Sequence, residues 1–502
     1  MEEITLRSYQ KELIKETRTG LKLHNRVIMQ LATAGGKTIC FSDIALKSQE
    51  RDSKILILSN RTKILLQNGG TLESFGLDVT YINPKNRATP KSNVAVGMSQ
   101  TLKRRIEKSE WIEYLKSIDL LIIDECHECI SDFIFDFISP KCFVIGCTAT
   151  PHRTKKQKQL GFLYNAIVSY VSIKELIEMR YLTPARHFSL VAPKLDDVAI
   201  DSSNGDYNQK QLAKVYESKQ IYTGVVSEYK RITPNEKAIC FCISSTQAIA
   251  ITQEFIDNGV SAKYVLSGTF EGDKILSGNQ DEVFKEFAKN KFKVLVNVGI
   301  AVAGFDCPDI KVCILNYSTL SITKYLQSIG RGARIAPNKK EFFILDFGNN
   351  IDRHGLYEQD RNWSLWHDEG SNGGLQPSKL CDPDKADING KKGCGRLVPM
   401  SCKVCPACGR VFITEKHEYQ LYLEEVKAKL ENIDECDLTV GEWALKMKAY
   451  GWNTNRILVQ VCLKNVPKEK AAFLEAAMAL KLSEKYLYFF SKNIWNKIKY
   501  KK

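Results

Sequence analysis

Short apolar runs alternate with longer amphipathic stretches over the first 350 residues. The runs read RVIMQL (26–31), KILILS (54–59), NVAVGM (93–98), DLLIID (119–124) and CFVIGC (142–147), with helix-like segments such as 37–50 and 101–117 between them. After an irregular polar stretch at 194–209, KLDDVAIDSSNGDYNQ, the alternation resumes with KAICFC (237–242), KVLVNV (293–298), KVCIL (311–315) and FFILDF (342–347). Runs this short and apolar suit strands buried on both faces, as parallel sheets require. Strands alternating with helices then predict two tandem α/β domains, with the polar stretch as a boundary region. Residues 350–380 are irregular and rich in Gly and Asn, and beyond about 415 the pattern turns helical and Lys-rich. No internal repeat or long low-complexity tract interrupts this order.

Composition changes the picture in three ways. A chain of 502 residues has room for roughly three domains, each with its own core. The formal charge of +14, from 72 Lys and Arg against 58 Asp and Glu, favours a polyanionic partner without saying which one. The acidic, polar start MEEITLRSYQ does not read as a signal peptide, and no apolar run is long enough to span a bilayer. A soluble, cytoplasmic protein with no membrane partner is expected. Many of the 16 cysteines sit singly in apolar runs, Cys142, Cys147, Cys240, Cys242 and Cys313 among them. There a reduced thiol behaves as a small hydrophobe. Five others fall between 381 and 408.

Four motifs carry candidate chemistry. LATAGGKT (31–38) lies between a strand and a helix, where backbone N–H groups and a helix N-terminus converge on phosphates. Gly35 and Gly36 permit close backbone approach, Lys37 can reach the β- and γ-phosphates, and Thr38 can bind Mg²⁺. Leu31, however, occupies the place of the first Gly in the strict phosphate-loop pattern. In LLIIDECHE, Asp124 and Glu125 end an apolar strand, one suited to holding Mg²⁺ and the other to deprotonating water. GCTATP (146–151) ends a strand in two hydroxyls, Thr148 and Thr150. In QSIGRGAR (327–334), Arg331 and Arg334 would share one face of a helix, and an arginine near a γ-phosphate neutralises transition-state charge. Each motif alone also has an ordinary structural reading: an apolar strand end, an acidic turn, a hydroxyl strand end, a basic surface helix.

In this order they resemble the superfamily 2 helicases and translocases over residues 1–350. LRSYQ (6–10) is similar to the adenine-side motif, which implies that Gln10 reads the base with Arg7 nearby. LATAGGKT resembles motif I, LILSNRTKILLQ (56–67) motif Ia, GMSQTL (97–102) motif Ib, DECH motif II and TAT motif III. KAICFCISSTQA resembles motif IV, VNVGIAVAGFDCPDI (296–310) motif V and QSIGRGAR motif VI. The resemblance implies ATP and Mg²⁺ held between two RecA-like lobes, with Lys37, Asp124 and Glu125 in one and Arg331 and Arg334 in the other. It places Gly304 and Asp306 near the nucleotide. Arg61, Gln100, Thr101 and Ser244 fall in motifs that contact nucleic acid, and His127, Thr148, Thr150 and Gln327 in motifs that couple the site to motion. Ala34 and Ala303 depart from the family pattern: a φ above zero would strain Ala34, and Ala303 replaces an acidic residue common in motif V.

Residues 405–409, CPACG, form a thiolate hook followed by a turn-forming glycine. Resemblance to zinc ribbons implies a structural Zn²⁺ on Cys381, Cys394, Cys405 and Cys408, with Cys402 as the rival fourth ligand. The expected architecture is therefore α/β: two tandem RecA-like parallel-sheet lobes, then a zinc ribbon and a helical C-terminal extension. Its divisions are lobe 1 (1–185), a linker and lead-in (186–235), lobe 2 (236–375), the ribbon (376–414) and a basic helical domain (415–502). Segment 481–502 carries seven lysines against one glutamate, as a nucleic-acid-binding extension or a solvated cap would. Trp363, Trp366 and the tail aromatics Tyr486, Tyr488, Phe489, Phe490 and Trp495 are candidate stacking platforms, or core.

Among helicases the compact motor, YLTPA after the first lobe and the terminal ribbon look most like phage recombination and branch-remodelling DNA helicases, such as those of T5-like phages. That resemblance implies DNA, single-stranded or branched, as partner, replication or recombination proteins as candidate associates, and the host cytoplasm as location. Three readings remain open: a DNA helicase or translocase on forks or branches, an RNA helicase or transcript-release factor, and a motor subunit without unwinding of its own.

Overall fold

The computed structural model describes residues 5–153, 158–190, 192–201, 205–217, 219–266, 280–299, 307–366, 378–387, 389–399, 402–412, 438–450, 454, 457–458, 461 and 469–482. Contacts divide the chain into two compact units, residues 1–382 with 394–401, and residues 383–393 with 402–502.

The first unit contains two parallel sheets. In lobe 1 the strands are β1 (Arg26–Gln30), β2 (Ile55–Ser59), β3 (Val79–Ile82), β4 (Val94–Met98), β5 (Leu120–Asp124), β6 (Phe143–Thr148) and β7 (Ala166–Ser169), in the spatial order β3-β4-β2-β5-β6-β1-β7. Every pairing is parallel. The five expected strands are the inner ones, and β2, β4 and β5 are buried along their whole length. Each Leu or Ile so buried contributes about 2 kcal/mol of transfer free energy. The two edge strands, β3 and β7, are only partly buried. Their sequences therefore lack the uniform apolar run that marks an inner strand.

Lobe 2 begins earlier than the hydrophobic pattern suggested. Residues 186–235, expected as a linker and lead-in to lobe 2, join a sheet edge through β8 (Ala185–Ser189), then form a small hairpin of β9 (Ile200–Asp201) and β10 (Asp206–Tyr207) and the helices Gln209–Tyr216 and Lys219–Ile232. The sheet continues with β11 (Ala238–Cys242), β12 (Ala262–Val265), β13 (Val294–Val298), β14 (Val312–Leu315) and β15 (Phe342–Asp346), in the order β12-β13-β11-β14-β15-β8, all parallel. A last pair, β16 (Ser378–Leu380) and β17 (Leu397–Pro399), is antiparallel.

The registers place the motifs. Because β5, β6 and β1 are neighbours, Asp124 pairs with Cys147 and Gln30 with Thr148. The carboxyl ends of these strands therefore bring LATAGGKT, DECH and TAT side by side, where ligand crevices form in open α/β sheets.

In the second unit, helices Val440–Ala449 and Glu469–Ala479 pack together over Trp443, Leu445, Ile457, Leu458, Phe473 and Leu480. Thr439 caps the first of them: its hydroxyl accepts from Glu442 N–H, while the Glu442 carboxylate accepts from Thr439 N–H. The tail aromatics and the lysines beyond residue 482 lie outside the described residues. Among the described residues no helix is long and apolar enough to cross a membrane.

Candidate active site

Between β1 and the helix Lys37–Gln49, the loop 31–36 reverses the chain through two left-handed residues, Ala34 (φ 68°) and Gly36 (φ 87°). For Ala34 that conformation costs about 1 kcal/mol. Leu31 is fully buried, and a Cβ on Gly35 would lie 2.7 Å from its Cγ. The departure from the strict pattern at Leu31 is thus matched by a glycine that makes room for it. The Lys37 ammonium donates to Leu31 O at 3.4 Å.

The segment 7–10 supports this loop from behind. Tyr9 Oη and Gln10 Nε2 both donate to Gly35 O, at 2.8 and 3.2 Å, and Gln10 Oε1 accepts from Arg7 N–H at 2.9 Å. Gln10, expected to read a base, is buried with both ends of its carboxamide bonded to the chain. The cleft wall on that side is instead formed by Arg7 and Tyr181, whose guanidinium and ring lie 4.6 Å apart.

At the end of β5, Asp124 is buried and accepts from Asn68 Nδ2 at 2.9 Å and from Glu125 N–H at 3.0 Å. Burial first, and then the Glu125 carboxylate, push its acidity to a higher pKa, opposed by the Asn68 hydrogen bond and the Lys37 charge. Glu125 adopts φ 50°, a left-handed turn that ends the strand abruptly. His127 Nδ1 lies 3.3 Å from Glu125 Oε2 and 2.8 Å from Thr148 Oγ1. Burial lowers the His127 pKa to about 4, so at neutral pH the ring is neutral: its Nδ1 is hydrogen-bonded to Thr148 Oγ1, and the Glu125 oxygen lies beside it without a hydrogen bond. Thr148 Oγ1 also accepts from Thr150 N–H at 3.1 Å.

Motif VI differs from the sequence expectation in one respect. The helix Ile322–Ile329 stops before the arginines, so Arg331 and Arg334 occupy the following turn rather than one helical face. Gly330 and Gly332 allow that turn: a Cβ on Gly332 would lie 2.8 Å from Cys313 Sγ. The turn is held by Lys339 Nζ and Thr183 Oγ1, which donate to Arg334 O at 2.9 and 3.0 Å. Lys37, Thr38, Asp124 and Glu125 of lobe 1 and Gln327, Arg331 and Arg334 of lobe 2 line one cleft of about 410 Å³. Gly304, Asp306 and Ala303 lie outside the described residues.

The candidate nucleic-acid contacts stand apart from this cleft, just beyond the carboxyl ends of other strands. Arg61 follows β2 and Gln100 follows β4, both exposed; Thr101 is half-buried. Ser244 follows β11 and caps the next helix, accepting from Gln247 N–H at 3.1 Å. Sequence reasoning missed Asn68 and Tyr181, which reach the cleft only through the fold, and Arg153, which bonds to the loop after Glu125.

The four cysteines 381, 394, 405 and 408 converge, with all Sγ atoms within 4.8 Å of one another; Cys402 is not among them. Gly395 and Gly409, each following a cysteine of the set, have φ of 75° and 73°. Gly395 N–H donates to Cys381 O and Gly409 N–H to Cys405 O, both at 2.8 Å. Four cysteine sulfurs gathered in this way are compatible with a structural zinc site.

Two parallel-sheet lobes that share a cleft carrying a phosphate loop, a carboxylate pair and two arginines define a nucleotide-driven motor. Comparison with known proteins gives the family. Residues 3–153 match the model of the type III restriction enzyme res subunit, and residues 221–336 match the helicase conserved C-terminal domain. The chain belongs to the superfamily 2 helicases. It is 29% identical to IRC3 of Saccharomyces cerevisiae, assigned as an ATP-dependent helicase, over 68% of this chain and 51% of that one. It is 26% identical to a 51.5 kDa protein of a Lactococcus phage over 93% of both. The match thus spans about half the length of IRC3 and nearly all of the phage protein. Among solved structures, a fragment titled as an HsdR subunit of a type I restriction enzyme from Vibrio vulnificus aligns with a TM-score of 0.54. It is 20% identical, covers 74% of this chain and 68% of its own, and supports the fold alone.

Proposed function

We propose that the chain is an ATP-dependent DNA helicase or translocase acting on forked or branched intermediates of replication, recombination or repair. The observation that carries this reading is the single cleft joining Lys37, Asp124 and Glu125 to Arg331 and Arg334. Lys37 and the loop N–H groups bind the phosphates, and Thr38 and Asp124 are the residues that would hold Mg²⁺. The bound ion neutralises phosphate charge. Glu125 accepts a proton from water as that water's oxygen bonds to the γ-phosphorus, and the bond from phosphorus to the β–γ bridging oxygen breaks to release ADP and phosphate. Arg331 and Arg334 offset the charge that develops on the γ-oxygens. Because they belong to the other lobe, hydrolysis rewards closure of the cleft, and closure moves the surfaces bearing Arg61, Gln100, Thr101 and Ser244. Cys381, Cys394, Cys405 and Cys408 would hold a structural Zn²⁺, which folds a small module that has little core of its own.

DNA is favoured over RNA by the match to a restriction-enzyme subunit over residues 3–153. The same match favours a second reading, a motor subunit that translocates without separating strands. ATP hydrolysis measured with single-stranded DNA, duplex DNA, a branched junction and single-stranded RNA tests both. Strongest stimulation by the junction, with strand separation, supports the first reading. Stimulation by duplex without separation supports the second, and stimulation by RNA alone overturns both.

A further inference from the structure

The loop that follows Glu125 is held by a side chain that none of the motif assignments uses. Arg153, three residues beyond Thr150, is buried with its side chain 4% exposed. Its guanidinium donates to the carbonyls of the three residues after Glu125: Nη2 to Cys126 O at 2.7 Å, Nε to His127 O at 2.9 Å and Nη2 to Glu128 O at 3.3 Å. On its other side it forms a fork with Asp132, Nη1 to Oδ2 and Nη2 to Oδ1, both at 2.8 Å. Buried carbonyls need donors, and a planar guanidinium is the one side chain that can serve three of them and a carboxylate together.

The geometry concerns the reaction because of where the loop begins. Glu125 turns through φ 50°, so its carboxylate direction depends on how the next residues are fixed. Three anchors come from the strand and turn of motif III: Cys147 O accepts from Cys126 N–H at 3.2 Å, Thr148 Oγ1 meets His127 Nδ1, and Arg153 gathers the carbonyls. We propose that Arg153, braced by Asp132, is a positioning residue that holds the Glu125 carboxylate in line for the attacking water and ties that alignment to motif III. Arg153 does not line the nucleotide cleft, so it touches neither phosphate nor water. A displacement of the order of 1 Å at a reacting group costs about 10²-fold in rate. Loss of the guanidinium should therefore lower kcat by that order while nucleotide binding stays intact.

The proposal rests on the ATPase reading above, and steady-state ATP hydrolysis by the full chain tests it. The variants are R153M, R153K and D132N, with thermal melting to establish that each is folded. The expected result is a kcat reduced about 10²-fold in R153M and by intermediate amounts in R153K and D132N, with KM for ATP within twofold of the parent. R153A should regain turnover when guanidinium ion is added, and not with sodium at the same ionic strength. R153M alone could fail to fold; D132N leaves the guanidinium in place and keeps the proposal open to failure. Folded R153K and D132N with parental kcat, or a raised KM with unchanged kcat, would overturn it. A parent chain that hydrolyses no ATP would instead sink the underlying reading.

Discussion

His127 and Thr148 are hydrogen-bonded across two motifs, Nδ1 to Oγ1 at 2.8 Å, with the imidazole neutral because burial lowers its pKa to about 4. The bond joins the carboxylate loop after β5 to the end of β6, so a shift in one strand end is felt at the other. Thr148→Val keeps the shape and removes the hydroxyl. The expected effect is on coupling: unwinding per ATP hydrolysed should fall about tenfold, equivalent to about 1.4 kcal/mol, while hydrolysis itself changes less. Parallel measurement of phosphate release and strand separation gives the ratio. An unchanged ratio removes Thr148 from the coupling path.

Lys37 is the one ammonium carried by the phosphate loop itself, at the first residue of its helix. Lys37→Ala should abolish ATP turnover and leave nucleic-acid binding at low salt, since the exposed strand-end contacts are untouched. Turnover at the parental rate would mean that the cleft is not the nucleotide site.

A pH dependence follows from His354. Burial lowers its pKa to about 4, while its Nε2 lies 2.9 Å from Thr319 O and its ring stacks on Tyr325. A neutral imidazole donates there. The unfolded chain, with an ordinary histidine pKa of about 6.5, binds the proton more readily. The contribution of His354 to stability is therefore complete above about pH 6.5 and is lost as pH falls toward about 4, to the order of 3 kcal/mol. Melting temperatures across that window should fall less steeply in His354→Gln, whose amide can donate to the same carbonyl. Parallel curves for the variant and the parent would refute the assignment.

Elemental analysis should find one zinc per chain. Cys405→Ser should lose it and expose residues 381–412 to protease, whereas Cys402→Ser should retain it, because the Cys402 sulfur is outside the converging set. Metal retained by the first variant and lost by the second would reverse the ligand assignment.

Much of the fold was legible in the hydrophobic pattern, and the reason is burial. Inner strands of a parallel sheet are covered on both faces, so β2, β4 and β5 had to be almost wholly apolar. The edge strands β3 and β7 are only partly buried, and β8, though mostly buried, interleaves polar residues; mixed sequences such as VTYI and ARHFS are not separated from loop by any local rule.

The site divides in the same way. Lys37, Asp124 and Glu125 were legible because their chemistry and their place beside a strand end are both local; Arg331 and Arg334 were legible by residue type, but their place on a turn beyond the helix was not. Gln10 was legible as a residue to watch, but its bonds to the loop carbonyl depend on a helix packing 25 positions away in sequence. Asn68 reaches Asp124 across 56 positions and Arg153 reaches Cys126 across 27. The sequence by itself determined which reactive groups are present and which strands carry them, because residue type and periodicity are written locally. Only the tertiary structure decided which neutral and charged side chains hold those groups in line, because a hydrogen bond depends on the distance and angle at which the folded chain brings two remote residues together.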